Sequence, residues 1–127
     1  MPIVAQVFAL LAAAIHVWFF VLESLLFARP AVAGRFGLTT PEQIAAVRPM
    51  AFNQGFYNLF LAIGVAAGVA QIAAGADVAG RAVVIFACLC MAWAGIVLLV
   101  TSPRLARAAL IQLVPPLVAI AATFLIR

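Results

Sequence analysis

The chain has very few charged residues. Among its 127 residues are seven basic side chains, all arginine, and three acidic ones, so that charged residues make up 8% of the chain. A soluble domain carries about 25%. So few charges cannot cover the surface of a water-soluble domain, and that class is excluded. Arginines spread singly along the chain also argue against a nucleic-acid-binding patch. We therefore predict no nucleic-acid partner.

Cysteine and histidine are also scarce. Cys88 and Cys90 are two residues apart in an apolar run, and His16 is the single histidine. Residues two apart on a helix point in different directions, so we interpret the cysteines as small buried thiols. We predict no metal site. Motifs for a serine nucleophile, a zinc site or a phosphate-binding loop are not present either.

Apolar residues are abundant, at 69% of the chain. A membrane-spanning helix needs about 20 mainly apolar residues. Four segments meet this requirement, at about 3–27, 49–74, 82–100 and 105–126. The first has no basic residues before it and is longer than the apolar part of a signal peptide, so we take it as a span. The chain is predicted to be one integral membrane domain over 1–127, an all-α bundle of four transmembrane helices in contact with lipids.

A helix is predicted to begin within the first connection, residues 28–48, before the second span. Thr40-Pro41-Glu42-Gln43 has a capping Thr and a Pro at the first helical position. Ile44, Ala45 and Val47 then form a short amphipathic segment that we expect on the membrane surface.

The arginines predict an orientation. The first and third connections hold Arg29, Arg35, Arg48, Arg104 and the nearby Arg107, against Arg81 and Arg127 on the opposite side. Arginine is enriched in cytoplasmic loops. We therefore expect these two connections in the cytoplasm and both termini outside (N-out/C-out).

Polar side chains of all four spans lie at a similar depth. At a rise of about 1.5 Å per residue, Glu23, Asn53 and Gln54 all lie about one turn inside the cytoplasmic ends of their spans. The residues in the same half of the membrane are His16, Glu23, Asn53, Gln54, Tyr57, Asn58, Trp93 and Gln112. Polar groups in a membrane are costly and usually face the bundle interior. We predict that they form one polar cavity.

Each of these residues also has a purely structural interpretation. Glu23 pairs with Arg48 or Arg29, or stays protonated and bonds to Asn53, and buried amides join helices. A single histidine in a span is often a satisfied bundle residue. Seven or more such groups at related depths exceed what a four-helix bundle needs, and this favours a ligand cavity.

Small residues predict close helix packing. Gly64 and Gly68 form a GxxxG motif in the second span, which suits contact inside the bundle or between two copies of the chain. Pro115 and Pro116 are expected to bend the fourth span and to free carbonyls near Gln112.

Several motifs together resemble a family of small bacterial membrane proteins. They are H-x6-E at His16 and Glu23, GRFGL at residues 34–38, NQGFYN at residues 53–58 and QLVP at residues 112–115. This domain-of-unknown-function family is of similar length and has four predicted spans. The resemblance implies a multipass protein of the bacterial inner membrane with a site at His16, Glu23, Asn53, Gln54, Tyr57, Asn58 and Gln112. It implies no activity.

We derive three functional hypotheses. The first is an intramembrane isomerase-type enzyme for a small apolar or lipid-like ligand. Its catalytic residues would be Glu23, His16 and Tyr57, and its substrate-binding residues Asn53, Gln54, Asn58, Gln112 and Trp93. The cofactor is left unknown, with haem bound to His16 as a variant. The alternatives are a proton-coupled transporter that uses Glu23 and a structural or accessory membrane subunit.

Overall fold

The chain folds into four long helices with a short helix in the first connection. This computed structural model describes residues 1–126. Helix α1 covers Ile3–Phe20 and continues through a π-helical turn at Val21–Leu25, and α2 covers Pro30–Arg35. Helices α3 (Pro41–Ala73), α4 (Asp77–Thr101) and α5 (Ala106–Leu125) follow, with a 3-10 turn at Pro103–Leu105 before α5. Four segments are long and apolar enough to cross a membrane, which confirms the predicted all-α four-span architecture.

The start of α3 is set by the predicted helix cap. Thr40 Oγ1 accepts a hydrogen bond from the backbone N–H of Gln43, 3.2 Å away, and the Gln43 side chain in turn accepts one from the Thr40 N–H. Such a capping box satisfies two amides that a helix start leaves free. The cap lies before Pro49, where we expected the second span to begin, and the helix continues through this proline. Ile44 and Val47 therefore belong to the first turns of α3 instead of a separate segment on the membrane surface.

Helix α3 is longer than a bilayer requires. Its 33 residues extend to about 50 Å at 1.5 Å per residue, against a hydrocarbon thickness of about 30 Å. The N-terminal turns of α3 therefore extend beyond the apolar core of the membrane.

The four long helices form a closed ring. Helix α1 packs against α3 and α5, and α4 packs against the same two helices. At the centre lie mainly small side chains: Ala9, Ala12, Ala13, Ala62, Val65, Val84, Ala87, Cys88, Met91 and Ala119. Without a hydrophobic driving force between helices in lipid, such small residues stabilise the bundle through close contact.

The two ends of the bundle differ. Ile3, Arg81 and Thr123 line one cavity, so the start of α1, the start of α4 and the end of α5 lie at the same end. At the other end, Arg104 Nη2 donates to the carbonyl of Phe36 over 3.4 Å. The first and third connections therefore meet, as expected for an up-down-up-down bundle. Arg127 lies outside the described residues.

The GxxxG motif packs inside the bundle. A Cβ atom added to Gly68 would lie 2.7 Å from Val84 Cγ2 and 2.8 Å from the Gly80 carbonyl oxygen. A Cβ atom added to Gly64 would lie 3.8 Å from Ala87 Cβ of the same chain, an ordinary van der Waals contact. Gly68 is buried against α4, so a homo-oligomer contact through Gly64 and Gly68 is not supported.

The two prolines of α5 lie within the bundle. Pro115 and Pro116 are buried, and α5 continues through both of them. Because proline has no N–H, the carbonyls of Ile111 and Gln112 lose their usual helical donor.

Candidate functional site

Glu23 lies in the π-helical turn at the end of α1. The N–H of Leu26 donates to the carbonyl of Val21 over 3.0 Å, and this hydrogen bond joins residues five apart in the chain. An inserted π turn is rare and changes the direction of the side chains that follow it. Here it carries Glu23 and Ser24 at the boundary with α3.

Asn58 holds the Glu23 carboxylate. Its Nδ2 donates to Glu23 Oε2 over 2.9 Å, and Asn58 itself is 4% exposed. Within residues 1–126, Glu23 forms no ion pair with Arg29 or Arg48, and its partner is not Asn53. Asn53 lies five residues before Asn58, about 140° away around the helix, so its side chain points away from Glu23.

The face of α3 that meets the bundle is a stripe of mostly small residues. It consists of Ala51, Gly55, Asn58, Ala62 and Val65, all buried. Their spacing of three and four residues places them on one side of a helix. Asn58 is the polar member of this stripe, so its amide faces α1.

Gly55 and Ser24 form the closest contact between α1 and α3. Ser24 Oγ donates to the carbonyl of Phe52 over 2.8 Å. A Cβ atom at Gly55 would lie 3.0 Å from the Ser24 backbone nitrogen and closer still to the Ser24 hydroxyl oxygen. The glycine therefore allows the π turn to pack on α3, and this contact positions Glu23 one residue away.

A pocket of about 280 Å³ opens beside Glu23. Its lining consists of Glu23, Phe27, Phe36, Val47, Met50, Ala51 and Gln54. The rings of Phe27 and Phe36 pack with their centroids 5.5 Å apart. The walls are apolar except for the carboxylate of Glu23 and the amide of Gln54.

His16 lies away from this pocket. It is fully buried, and its Nδ1 donates to the carbonyl of Ala12 over 2.8 Å. That bond leaves Nε2 as the acceptor nitrogen, and within residues 1–126 it has no partner. A free Nε2 is the atom that haem iron would need. However, His16 lines neither this pocket nor the cavity at the opposite end.

The remaining predicted residues do not line the pocket. Asn53 is exposed, and Tyr57 and Trp93 are 58% and 63% exposed on the outside of the bundle. Gln112 is buried in α5. Gly95 of α4 packs against Leu113 of α5, so Trp93 and Gln112 do share a depth. Depth was predictable from the sequence, but the direction of the side chains was not.

Most of the pocket wall was missed by sequence reasoning. Phe27 and Phe36 lie in or next to the first connection, and Met50 and Ala51 carry no chemical motif. The sequence signal for this wall is the GRFGL motif at residues 34–38, which contains Phe36 and belongs to the family resemblance. Ser24 could not be found, since its contact depends on the π turn.

Comparison with known proteins gives a family without an assigned activity. The sequence profile of the family described as "Protein of unknown function (DUF1304)" matches residues 10–124. No curated protein and no solved structure matches the chain. The chain belongs to the DUF1304 family.

Proposed function

We propose that this DUF1304 protein is an acid–base enzyme that isomerises a small, mainly apolar or lipid-like molecule in the pocket beside Glu23. The observation that supports it is a single carboxylate on the wall of a pocket that is apolar except for the amide of Gln54, with Glu23 Oε2 held 2.9 Å from Asn58 Nδ2. A fixed carboxylate at a pocket wall is the group that general acid–base catalysis requires.

The proposed reaction is a proton shift within one molecule. Glu23 removes a proton from the carbon between a carbonyl group and a carbon–carbon double bond, and the bonding electrons move into this conjugated system, with negative charge on the carbonyl oxygen. The same carboxyl then returns the proton to another carbon of the molecule. The substrate and the product have the same atoms and the same number of electrons, so no co-reactant is needed.

Two amides support this step. Asn58 occupies Glu23 Oε2 and fixes the orientation of the carboxyl group. Gln54 lines the same pocket and would donate a hydrogen bond to an oxygen of the substrate on which negative charge develops. Neither His16 nor Tyr57 lines the pocket, so the proposal gives the proton transfer to Glu23 alone.

The packing of the bundle favours an enzyme over a transporter. Val65, Val84 and Met91 are fully buried at its centre, between the Glu23 pocket and the cavity at the opposite end. A transport path from the pocket would have to open this core.

Exchange with heavy water tests the proposal without knowledge of the substrate. The purified protein is incubated in D2O with the lipid extract of the expression host, and lipids are analysed by mass spectrometry. Deuterium should enter a defined species with the wild type, since the proton returned by Glu23 comes partly from solvent. Glu23→Gln should abolish this incorporation.

Glu42→Gln is the matched control, since Glu42 is the other glutamate of the chain and is exposed in the first turn of α3. The Glu42→Gln variant should incorporate as much deuterium into the lipid as the wild type does. Equal incorporation by Glu23→Gln, or no labelled species with the wild type, would contradict the enzyme and favour an accessory role in which Glu23 and Asn58 only join two helices.

A further inference from the structure

The pocket lies beside the end of the first candidate membrane span. The first span ends at Leu25, two residues after Glu23. Leu25 and Met50 are 60% and 75% exposed. Beyond them, the first turns of α3 extend past the end of α1. A molecule entering here therefore has one part in lipid and another among headgroups.

Three arginines lie next to residues of the pocket wall, two of them in sequence and one through a hydrogen bond. Arg35 is next to Phe36, and Arg48 is next to Val47 and three residues before Ala51 on the same helix face. Arg104 donates to the carbonyl of Phe36 over 3.4 Å. All three are exposed, and within residues 1–126 none has an acidic partner.

Gly37 leaves the space in which the Arg104 guanidinium lies. Its φ of 79° is favoured by glycine, and a Cβ atom there would lie 2.8 Å from Arg104 Cζ. The guanidinium of the third connection is therefore packed on the loop that contributes Phe36 to the pocket.

We propose that the pocket takes an anionic phospholipid of the surrounding membrane. Arg35, Arg48 and Arg104 bind its phosphate, and one acyl chain lies between Phe27, Phe36 and Met50 with a segment next to Glu23. Guanidinium groups suit phosphate oxygens because they donate parallel hydrogen bonds. This inference rests on the proposed function and names the class of its substrate.

Photo-crosslinking in nanodiscs tests the proposal. The protein is placed in phosphatidylcholine nanodiscs that contain a trace of a lipid with a diazirine on one acyl chain, either phosphatidylglycerol or phosphatidylcholine. The phosphatidylglycerol probe should label peptides with Phe27, Val47 and Met50 several-fold more than the phosphatidylcholine probe. The double variant Arg35→Gln/Arg48→Gln should remove most of this preference.

Arg107→Gln is the control, since it removes an exposed arginine at the same end that is not adjacent to a pocket-lining residue. The Arg107→Gln variant should still be labelled more strongly by the phosphatidylglycerol probe than by the phosphatidylcholine probe. Equal labelling by the two probes, labelling outside the pocket, or an equal effect of Arg107→Gln would overturn the proposal.

The two proposals fail separately. Intact labelling with failed deuterium exchange would count against the enzyme alone. Active exchange with equal labelling by both probes would count against the anionic substrate alone.

Discussion

At the scale of single residues, the site depends on one small side chain and one amide. Gly55 lets the π turn approach α3, and Asn58, three residues further along the same face, reaches Glu23. The two residues are buried, whereas Asn53 and Tyr57 on the opposite side are exposed. A conformational change of one residue in the π turn would separate Glu23 from Asn58.

Gly55→Ala should destabilise the protein. Alanine favours a helix by about 1 kcal/mol over glycine, but overpacking costs about 1–3 kcal/mol, and the backbone nitrogen of Ser24 cannot rotate away. We expect a net loss of about 1 kcal/mol in the free energy of unfolding, measured in detergent micelles. Gly34→Ala is the control: it has no atom within 4 Å of the new Cβ, so it should be neutral or stabilising. Equal stability of both variants would contradict the Ser24 contact.

At the scale of elements, glycine also sets the crossing of α3 and α4. Gly68 and Gly80 face each other, and each would clash with the other helix if it had a Cβ atom. One turn away, Gly64 faces Ala87 with room for a methyl group. Of the two glycines of the GxxxG motif, Gly64 therefore tolerates an added methyl group and Gly68 does not.

Gly68→Ala should lower the free energy of unfolding by about 1–3 kcal/mol, and Gly64→Ala should leave it unchanged or raise it by up to about 1 kcal/mol. The measurement is thermal unfolding in detergent, together with the oligomeric state by native mass spectrometry. A contact between two copies of the chain through GxxxG would instead respond to both substitutions, with a change in oligomeric state.

At the scale of the whole molecule, charge divides the two ends. The end formed by the first and third connections holds Arg29, Arg35, Arg48, Arg104 and Arg107, all exposed. At the other end Arg81 Nη2 lies 3.0 Å from Asp77 Oδ2. Among residues 1–126, the arginines without an acidic partner are therefore at the end with the Glu23 pocket.

This asymmetry predicts that the pocket end faces the cytoplasm and that both termini lie outside, in a cytoplasmic membrane. A reporter that is active only in the cytoplasm should be inactive when fused to the C-terminus, and one that is active only outside should work. The same reporters placed between Gly75 and Ala76, in the turn between α3 and α4, should give the same result as the C-terminal fusions. The opposite pattern would reverse the orientation.

The sequence by itself determined the membrane environment, the number of spans and the cap at Thr40. These properties follow from composition, from the length of apolar runs and from the residue types at the start of a helix.

Only the tertiary structure decided which polar residues meet. Depth counting treats the side chains around a helix alike, whereas packing buries one stripe of α3 and exposes the other. Asn58 therefore joins Glu23, while Tyr57 and Trp93 face outward. The π turn, the pairing of Ser24 with Gly55 and the loop that brings Phe36 to the pocket depend on contacts between distant parts of the chain. Their physical cause is the fit of one helix surface to another, which periodicity along a single helix does not contain.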